Sequence, residues 1–358
     1  MEHTFPVTRT ANPKPRPADE TQLGFGKLFT DHMFLMNYTE GQGWHDGRIV
    51  PYGPISLDPS AMVFHYAQEL FEGMKAYRTP DGTVQLFRPD KNIERMNNTC
   101  DRLCVPRIAP EVALQAICQL VDIDRDWIPH SKGTSLYIRP FIIATDPMLG
   151  VHPSKTYIFC VILSPVGSYY AAGINPVRIM VEREYVRCVK GGTGLAKAGG
   201  NYAASLIGQK KAEESGFAQV LWLDGIHRKY IDEVGAMNVF FVIDGVVITP
   251  DLTDGNILPG VTRRSCLEIL KKWGLPVEER KLAIDEVLQA QQEGRLNEAF
   301  GTGTAAVISP IGELYDCGRS YIVNNNEIGP IAQRLYDAIY GLQTGVLEDD
   351  MGWTYKIG

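Results

Sequence analysis

Nowhere does the 358-residue sequence hold an apolar run approaching the ~18–20 residues a bilayer-spanning helix needs. Its apolar stretches, such as residues 236–243, are strand-length, so the sequence reads as that of a soluble protein. Basic charge is not in excess either. There are 35 Lys and Arg against 42 Asp and Glu, a net charge of −7, whereas nucleic-acid binding needs a concentrated basic face. Cysteine is sparse: seven residues, an odd number, with no Cys-x-x-Cys pair. That pattern excludes a disulfide framework and suits a reducing cytoplasm. Cys100 and Cys104 stand one helical turn apart without two further His or Cys neighbours, so core packing is expected of them and no metal site. No repeat or low-complexity block is present, which excludes a solenoid. The first twenty residues lack the apolar middle of a secretory signal. Their Glu2, Asp19 and Glu20, set among Pro6, Pro13, Pro15 and Pro17, do not suit an organellar presequence, and residues 1–25 are expected to form a flexible arm.

What is there is an ordinary globular balance, 44% hydrophobic and 22% charged, in a chain long enough for two domains. Strand-like runs are expected at 32–38 and 83–88, helices at 89–103 and 111–127, then strands at 135–145 and 157–163. The Pro-, Gly- and small-residue-rich segment 164–176 reads as the connection between a smaller domain (26–163) and a larger one (177–358). Beyond it come strands at 177–182, 218–223, 239–243 and 246–249, helices at 202–215 and 261–273, a strand near 276–282 and a short helix. Strand runs at 297–301 and 305–311 and a last helix at 327–342 end the pattern. Strands and helices mix without strict alternation, which predicts α+β or irregular α/β rather than a barrel or a Rossmann sheet.

The densest glycine segment is Val186-Arg-Cys-Val-Lys-Gly-Gly-Thr-Gly-Leu-Ala-Lys197-Ala-Gly-Gly-Asn-Tyr202. A Walker A loop needs Gly-Lys-Ser/Thr, but Ala196 and Ala198 flank Lys197. The dinucleotide spacing fails as well, because Lys197 stands where the third glycine is required after Gly192-Thr-Gly194. A Gly-rich turn with a solvated lysine remains open. So does chemistry: a lysine kept partly out of water by small apolar neighbours supplies a free amine that attacks carbonyls, and Tyr202 is close enough in sequence to bond a phenolic oxygen. In Ile231-Asp-Glu233-Val two acids precede an apolar strand, either as a polar turn or with Glu233 pointing inward to a cation. Leu258-Pro-Gly-Val261-Thr262 opens a helix, where free N–H groups favour an anion. Phe300-Gly-Thr-Gly-Thr304-Ala305-Ala306 offers exposed amides between strands. Arg95 is by default a solvated helix charge, and becomes more if a phosphate needs a counter-charge.

Taken in order, these segments resemble the branched-chain aminotransferases, the fold-type IV pyridoxal-phosphate enzymes. Phe29-Thr-Asp-His-Met, Phe71-Glu-Gly-Met-Lys-Ala-Tyr, Leu136-Tyr-Ile-Arg-Pro, Pro165-Val-Gly-Ser-Tyr-Tyr and Lys190-Gly-Gly-Thr-Gly carry the likeness too, from about Phe29 to Tyr340. The resemblance implies two mixed α/β domains with pyridoxal 5'-phosphate at their interface, held as a Schiff base by Lys197, which also shuttles the substrate's α-proton. It implies that Tyr202 bonds the ring oxygen, that Glu233 keeps the ring nitrogen protonated, and that Arg95, Val261, Thr262 and Thr304 hold the phosphate. Arg187 matches a further arginine of the cofactor site. For the substrate it implies aromatic walls at Phe29, Tyr66, Phe71, Tyr137 and Tyr169. Arg139 would meet the distal carboxylate of glutamate or 2-oxoglutarate, and the backbone of Thr304, Ala305 and Ala306 the α-carboxylate. An aromatic box suits leucine, isoleucine or valine, and one arginine admits the dicarboxylic partner.

The implied activity is transfer of the amino group of a branched-chain L-amino acid to 2-oxoglutarate, by a homodimer that contacts no nucleic acid or membrane. A D-amino-acid aminotransferase, an aminodeoxychorismate lyase or a non-enzymatic vitamin-B6 carrier is the alternative. The first two are generally shorter and lack the Phe-Glu-Gly-Met-Lys and Lys-Gly-Gly-Thr-Gly runs. The sequence departs from some relatives at Ala306 and Ser309, where those carry a redox Cys-x-x-Cys, so no thiol switch is expected there. At Ala236 some relatives have threonine, which removes a hydrogen bond near the ring.

Overall fold

β6 (Ser135–Ala144) alternates buried and part-exposed positions along its length, the period-2 signature of a strand with one face on a core. It is the middle of a mostly antiparallel sheet in a computed structural model that describes residues 4–167 and 174–358. The chain divides into two compact units: Met1–Tyr169 with Ala196–Gly199 and Gly341–Gly358, and Tyr170–Leu195 with Gly200–Tyr340.

In the first unit β1 (His32–Thr39), β2 (Gly43–Pro51), β3 (Glu69–Phe71), β4 (Met74–Arg78), β5 (Val84–Phe87), β6 and β7 (Thr156–Val166) join a C-terminal strand, Thr354–Ile357. The order is C-terminal strand, β5, β4, β6, β7, β1, β2, with β3 pairing β6. α1 (Met62–Tyr66), α2 (Pro89–Arg102) and α3 (Pro110–Ile123) complete it. α2 and α3 each start on a proline, whose missing N–H costs nothing in a first helical turn. Ile93, Met96 and Cys100 of α2 and Ile117 of α3 share one core with Phe34 and Phe159.

The second unit holds β8 (Val177–Val181), β9 (Gln219–Leu223), β10 (Ile231–Val234), β11 (Asn238–Ile243), β12 (Val246–Thr249), β13 (Val277–Glu279), β14 (Leu296–Gly303), β15 (Val307–Asp316) and β16 (Arg319–Ile322). They run in the order β10, β9, β8, β15, β14, β11, β12, β13, with β16 on β15. The pairs β15/β8, β8/β9 and β12/β13 are parallel, so the sheet is mixed. α4 (Gly199–Glu214), α5 (Val261–Lys272), α6 (Ile284–Gln292) and α7 (Pro330–Gln343) follow the sequence expectation closely. Both sheets carry helices, the mixed α/β class that the sequence indicates. Among the described residues no helix is long and apolar enough to cross a membrane.

Four expectations change. Residues 4–16 are not a loose arm. The Thr8 N–H donates to the Ile49 carbonyl and the Ile49 N–H to that of Pro6, both at 2.9 Å, and Phe5 packs edge-on against Phe34. This extended, proline-rich segment covers β2, the open edge of the sheet, and so satisfies backbone groups an edge strand otherwise leaves bare. Residues 341–358 belong to the first unit and not the second, because Thr354–Ile357 pairs with β5. The expected connection 164–176 begins as strand, since β7 runs on to Val166. Of the two cysteines assigned to core packing, only Cys100 is buried; Cys104 lies exposed past the end of α2 with φ 54°.

Candidate active site

One stripe of α2 is polar and yet buried: Asn92, Arg95 and Thr99, three and four residues apart and therefore on one helix face. Its partner is Glu72, fully buried between β3 and β4. Arg95 grips Glu72 with two parallel bonds, Nε to Oε1 at 2.8 Å and the second guanidinium nitrogen to Oε2 at 2.9 Å. The amide of Asn92 donates to Oε2 at 2.9 Å, and the Gly73 N–H does so at 3.1 Å. Burial pushes the Glu72 carboxyl upward, but the charges of Arg95 and Lys197 with the Arg95 and Asn92 hydrogen bonds outweigh it and hold it below the usual range.

Thr99 completes the stripe by fixing Lys197. The Lys197 N–H donates to Thr99 Oγ1 at 3.1 Å, and its carbonyl accepts the Phe71 N–H at 3.0 Å. Ala196 and Ala198 are buried on either side, and the next N–H but one, that of Gly199, donates to Glu69. With its backbone clamped, Lys197 carries its amine 4.6 Å from the centre of the Phe71 ring. The guanidinium of Arg139 lies 4.7 Å from the same ring and 5.3 Å from that of Tyr137, whose hydroxyl it reaches at 3.3 Å. Gly73 is required here, because a Cβ at that position would collide with Tyr137 Oη. Phe25 meets Tyr137 edge-on. Phe29 stacks instead on Tyr52, and Tyr66 stands at the end of α1, donating to the Leu149 carbonyl. Tyr169 lies outside the described residues.

In the second unit Ile231-Asp-Glu233-Val is a strand, not a turn, and all four residues are buried. Glu233 points inward, and the cation it meets is Arg187, 2.9 Å from Oε2. Its other oxygen accepts from the Leu258 N–H at 2.8 Å and from the Asn238 amide at 3.3 Å. Asn238 also donates to the Leu258 carbonyl, so the chain just before α5 is tied to this carboxylate. α5 starts at Val261 and Thr262, both buried, behind a glycine N-cap with no capping side chain, which leaves its first N–H groups available to an anion. Gly303 faces Val307 across the β14/β15 hairpin, so Thr304, Ala305 and Ala306 form its three-residue loop. Such a loop needs a left-handed residue at its close, and Val307 takes that conformation at φ 62°, a strained choice for a β-branched side chain. Nearby Thr302 Oγ1 is buried with no hydrogen-bond partner among the described residues. Tyr202 lies half-buried in the first turn of α4.

Thus Lys197, Arg95, Phe71, Tyr137 and Arg139 cluster in one unit, and Glu233 with Arg187 in the other. The sequence does not single out Glu72, Thr99 or Asn238. Glu72 had a signal, since its motif was noticed, but nothing local shows that its partner is Arg95, 23 residues on.

Residues 69–314 match the family described as amino-transferase class IV. Over 354 residues the chain is 59% identical to branched-chain-amino-acid aminotransferase 2 of Bacillus subtilis (strain 168), covering 99% of this chain and 97% of that protein. It is 45% identical over 362 residues to the branched-chain-amino-acid aminotransferase of Mycobacterium tuberculosis, covering 99% and 98%. Among solved structures, the branched-chain amino acid aminotransferase of Escherichia coli superposes with a TM-score of 0.77 at 26% identity, over 92% of this chain and 99% of that one. The T.th. enzyme of the same description, complexed with N-(5'-phosphopyridoxyl)-L-glutamate, gives 0.73 at 26% identity, over 90% and 98%.

Proposed function

This chain belongs to the class IV aminotransferases, in their branched-chain branch, and from that membership we propose that it moves the amino group of L-leucine, L-isoleucine or L-valine to 2-oxoglutarate with pyridoxal 5'-phosphate bound at Lys197. The observation that carries the proposal is the clamped Lys197 backbone, with its amine on an aromatic wall that also bears Arg139.

The residues present fit that cofactor. A primary amine answers its aldehyde, a buried carboxylate its cationic ring nitrogen, and a helix start without a side-chain cap its phosphate. When bound, the cofactor supplies an electron sink for the charge left at the substrate's α-carbon. Lys197 Nζ takes the proton from that carbon and returns it. Glu233, paired with Arg187 and accepting the Leu258 N–H, would keep a proton on the ring nitrogen. Tyr202 would bond the ring oxygen, while Val261 and Thr262 at the start of α5, with Arg95 and Thr304, would bind the phosphate. Phe71 and Tyr137, with Phe29 and Tyr66, would exclude water and accept a branched side chain. Arg139 meets the second carboxylate of glutamate or 2-oxoglutarate, and the hairpin loop Thr304–Ala306 presents N–H groups to the α-carboxylate.

The test is a half-reaction. Mixing L-leucine with the loaded protein is expected to bleach the visible cofactor band and yield pyridoxamine phosphate, and 2-oxoglutarate to restore the band. Conversion by D-alanine but not by L-leucine would overturn the substrate class.

We further propose that two copies associate. Phe64, Met148, Leu149 and Val151 are 61%, 50%, 69% and 82% exposed, and the Met148 N–H bonds the Ser60 carbonyl beside α1, so these apolar groups share one face of the first unit. Sedimentation at the mass of a single chain would refute it. The cytoplasm is the compartment proposed, on seven free cysteines.

A further inference from the structure

Asp232 and Glu233 are neighbours on β10, so their side chains leave the strand on opposite faces. Glu233 meets Arg187 on one face. On the other, Asp232, 4% exposed, lines a cavity of about 120 Å³ together with Asp224, His227, Tyr230 and Asp254. A second buried acid beside the first has no role in the chemistry described so far, and burying it is costly unless it is partnered.

Its partner connects the two faces. The Asn256 amide donates to Asp232 Oδ1 at 2.7 Å, and the backbone carbonyl of the same residue accepts from the Arg187 guanidinium at 3.0 Å. Arg187 in turn holds Glu233 at 2.9 Å. Thus Asp232, Asn256, Arg187 and Glu233 form one continuous hydrogen-bonded chain. Glu233 pairs with the guanidinium directly, and Asp232 reaches it through Asn256.

We propose that Asp232 is a positioning residue that acts through Asn256 and Arg187 on Glu233, and so sets the negative charge presented to the cofactor's ring nitrogen. The inference rests on the reading that Glu233 serves that nitrogen, and deepens it by placing a titrating group behind the pair.

Every charged group around Asp232 bears on this. Burial, Glu233 on its own strand and Asp224 from the turn after β9 push its carboxyl up to about 7, against the Asn256 hydrogen bond and Arg187. Asp224 is itself held by the N–H groups of Ile226, His227, Lys229 and Tyr230. Lys190 and Lys281 line the same cavity but are engaged by Asp254, at 2.7 and 2.6 Å, and Asp251 lines it as well. Near neutral pH Asp232 therefore changes charge. While it is neutral, Glu233 and Arg187 form a compensated pair. Once it ionises, an uncompensated negative charge stands behind them and raises the ring nitrogen's affinity for its proton.

The test follows the ring nitrogen directly. With nitrogen-15-labelled pyridoxal phosphate bound, its chemical shift is read from pH 5 to 9 in the native protein and in Asp232→Asn and Asp232→Ser, both neutral and able to hydrogen-bond. The native protein is expected to show an inflection near pH 7, where Asp232 titrates, and both variants to lose it. A second readout uses the protein without cofactor. In the folded state Asp232 keeps its proton up to about pH 7, whereas an unfolded aspartate releases it near about 3.9, so native stability falls as pH rises through that window and levels off above it. Asp232→Asn lacks this slope, and its melting temperature is expected to gain on the native one between pH 5 and 8. Identical nitrogen profiles in all three proteins would overturn the proposal. If Glu233→Gln also left the nitrogen signal unmoved, the assignment of Glu233 would fall with it; if Glu233→Gln moved the signal and the Asp232 variants did not, only the relay would.

Discussion

Lys197→Ala is expected to lower steady-state transamination between L-leucine and 2-oxoglutarate by about 10⁴-fold or more, the loss that follows from the proposed role of its amine in anchoring the cofactor and transferring the proton. The fold is expected to survive. Both bonds that fix this residue, to Thr99 Oγ1 and from the Phe71 N–H, use its main chain, and alanine keeps them. The side chain places its amine over the Phe71 ring, and its charge acts on Glu72. Melting temperature and far-ultraviolet circular dichroism should therefore stay close to native while turnover and the visible cofactor band disappear. Lys197→Arg tests whether charge alone suffices, and is expected to fail equally, because a guanidinium stays protonated. A variant within tenfold of the native rate would remove Lys197 from the chemistry.

The second large effect is on stability. Glu72→Ala is expected to cost about 3–5 kcal/mol, because it strands the buried Arg95 guanidinium without its counter-charge. It also leaves the Asn92 amide and the Gly73 N–H without their acceptor. Removing both charges together, as Glu72→Leu with Arg95→Met, is expected to recover much of that loss in urea denaturation of the protein without cofactor, since apolar groups of similar size replace a desolvated pair. A double variant no more stable than Glu72→Ala would show that the charge is not what matters. The pH dependence has a definite sign. The folded carboxyl is held below its ordinary value, so the contribution is whole at neutral pH and fades only as pH drops through a point below about 4.3.

Much of this was legible in the sequence, for local reasons. α2 and α3 declare themselves by an initial proline and apolar spacing, whereas the segment around Lys197 stays open on its own and gains a role only through the resemblance. β2 gave little signal because Gly43–Pro51 is largely polar and only Ile49 in it is buried; it is held as a strand by β1 and the N-terminal segment instead. β10 was ambiguous for a similar reason. Two adjacent acids argue against a strand on propensity, and partners from outside the strand, Arg187, Asn238, Asn256 and the Leu258 N–H, make their burial tolerable. The buried polar stripe of α2 looked like an exposed helix face, because its partner acid comes from another element.

The C-terminal strand has a consequence for how the molecule is made. Thr354–Ile357 closes the edge of a sheet whose other strands all lie before residue 167, and Gln85 and Tyr77 reach the same end of the chain through Leu342 and Gln343. Lys197 and its neighbours also join that unit from the middle of the sequence. During synthesis the first unit therefore waits, with the outer edge of β5 unpaired, while almost two hundred further residues emerge, and Lys197 emerges before the sheet it joins is complete.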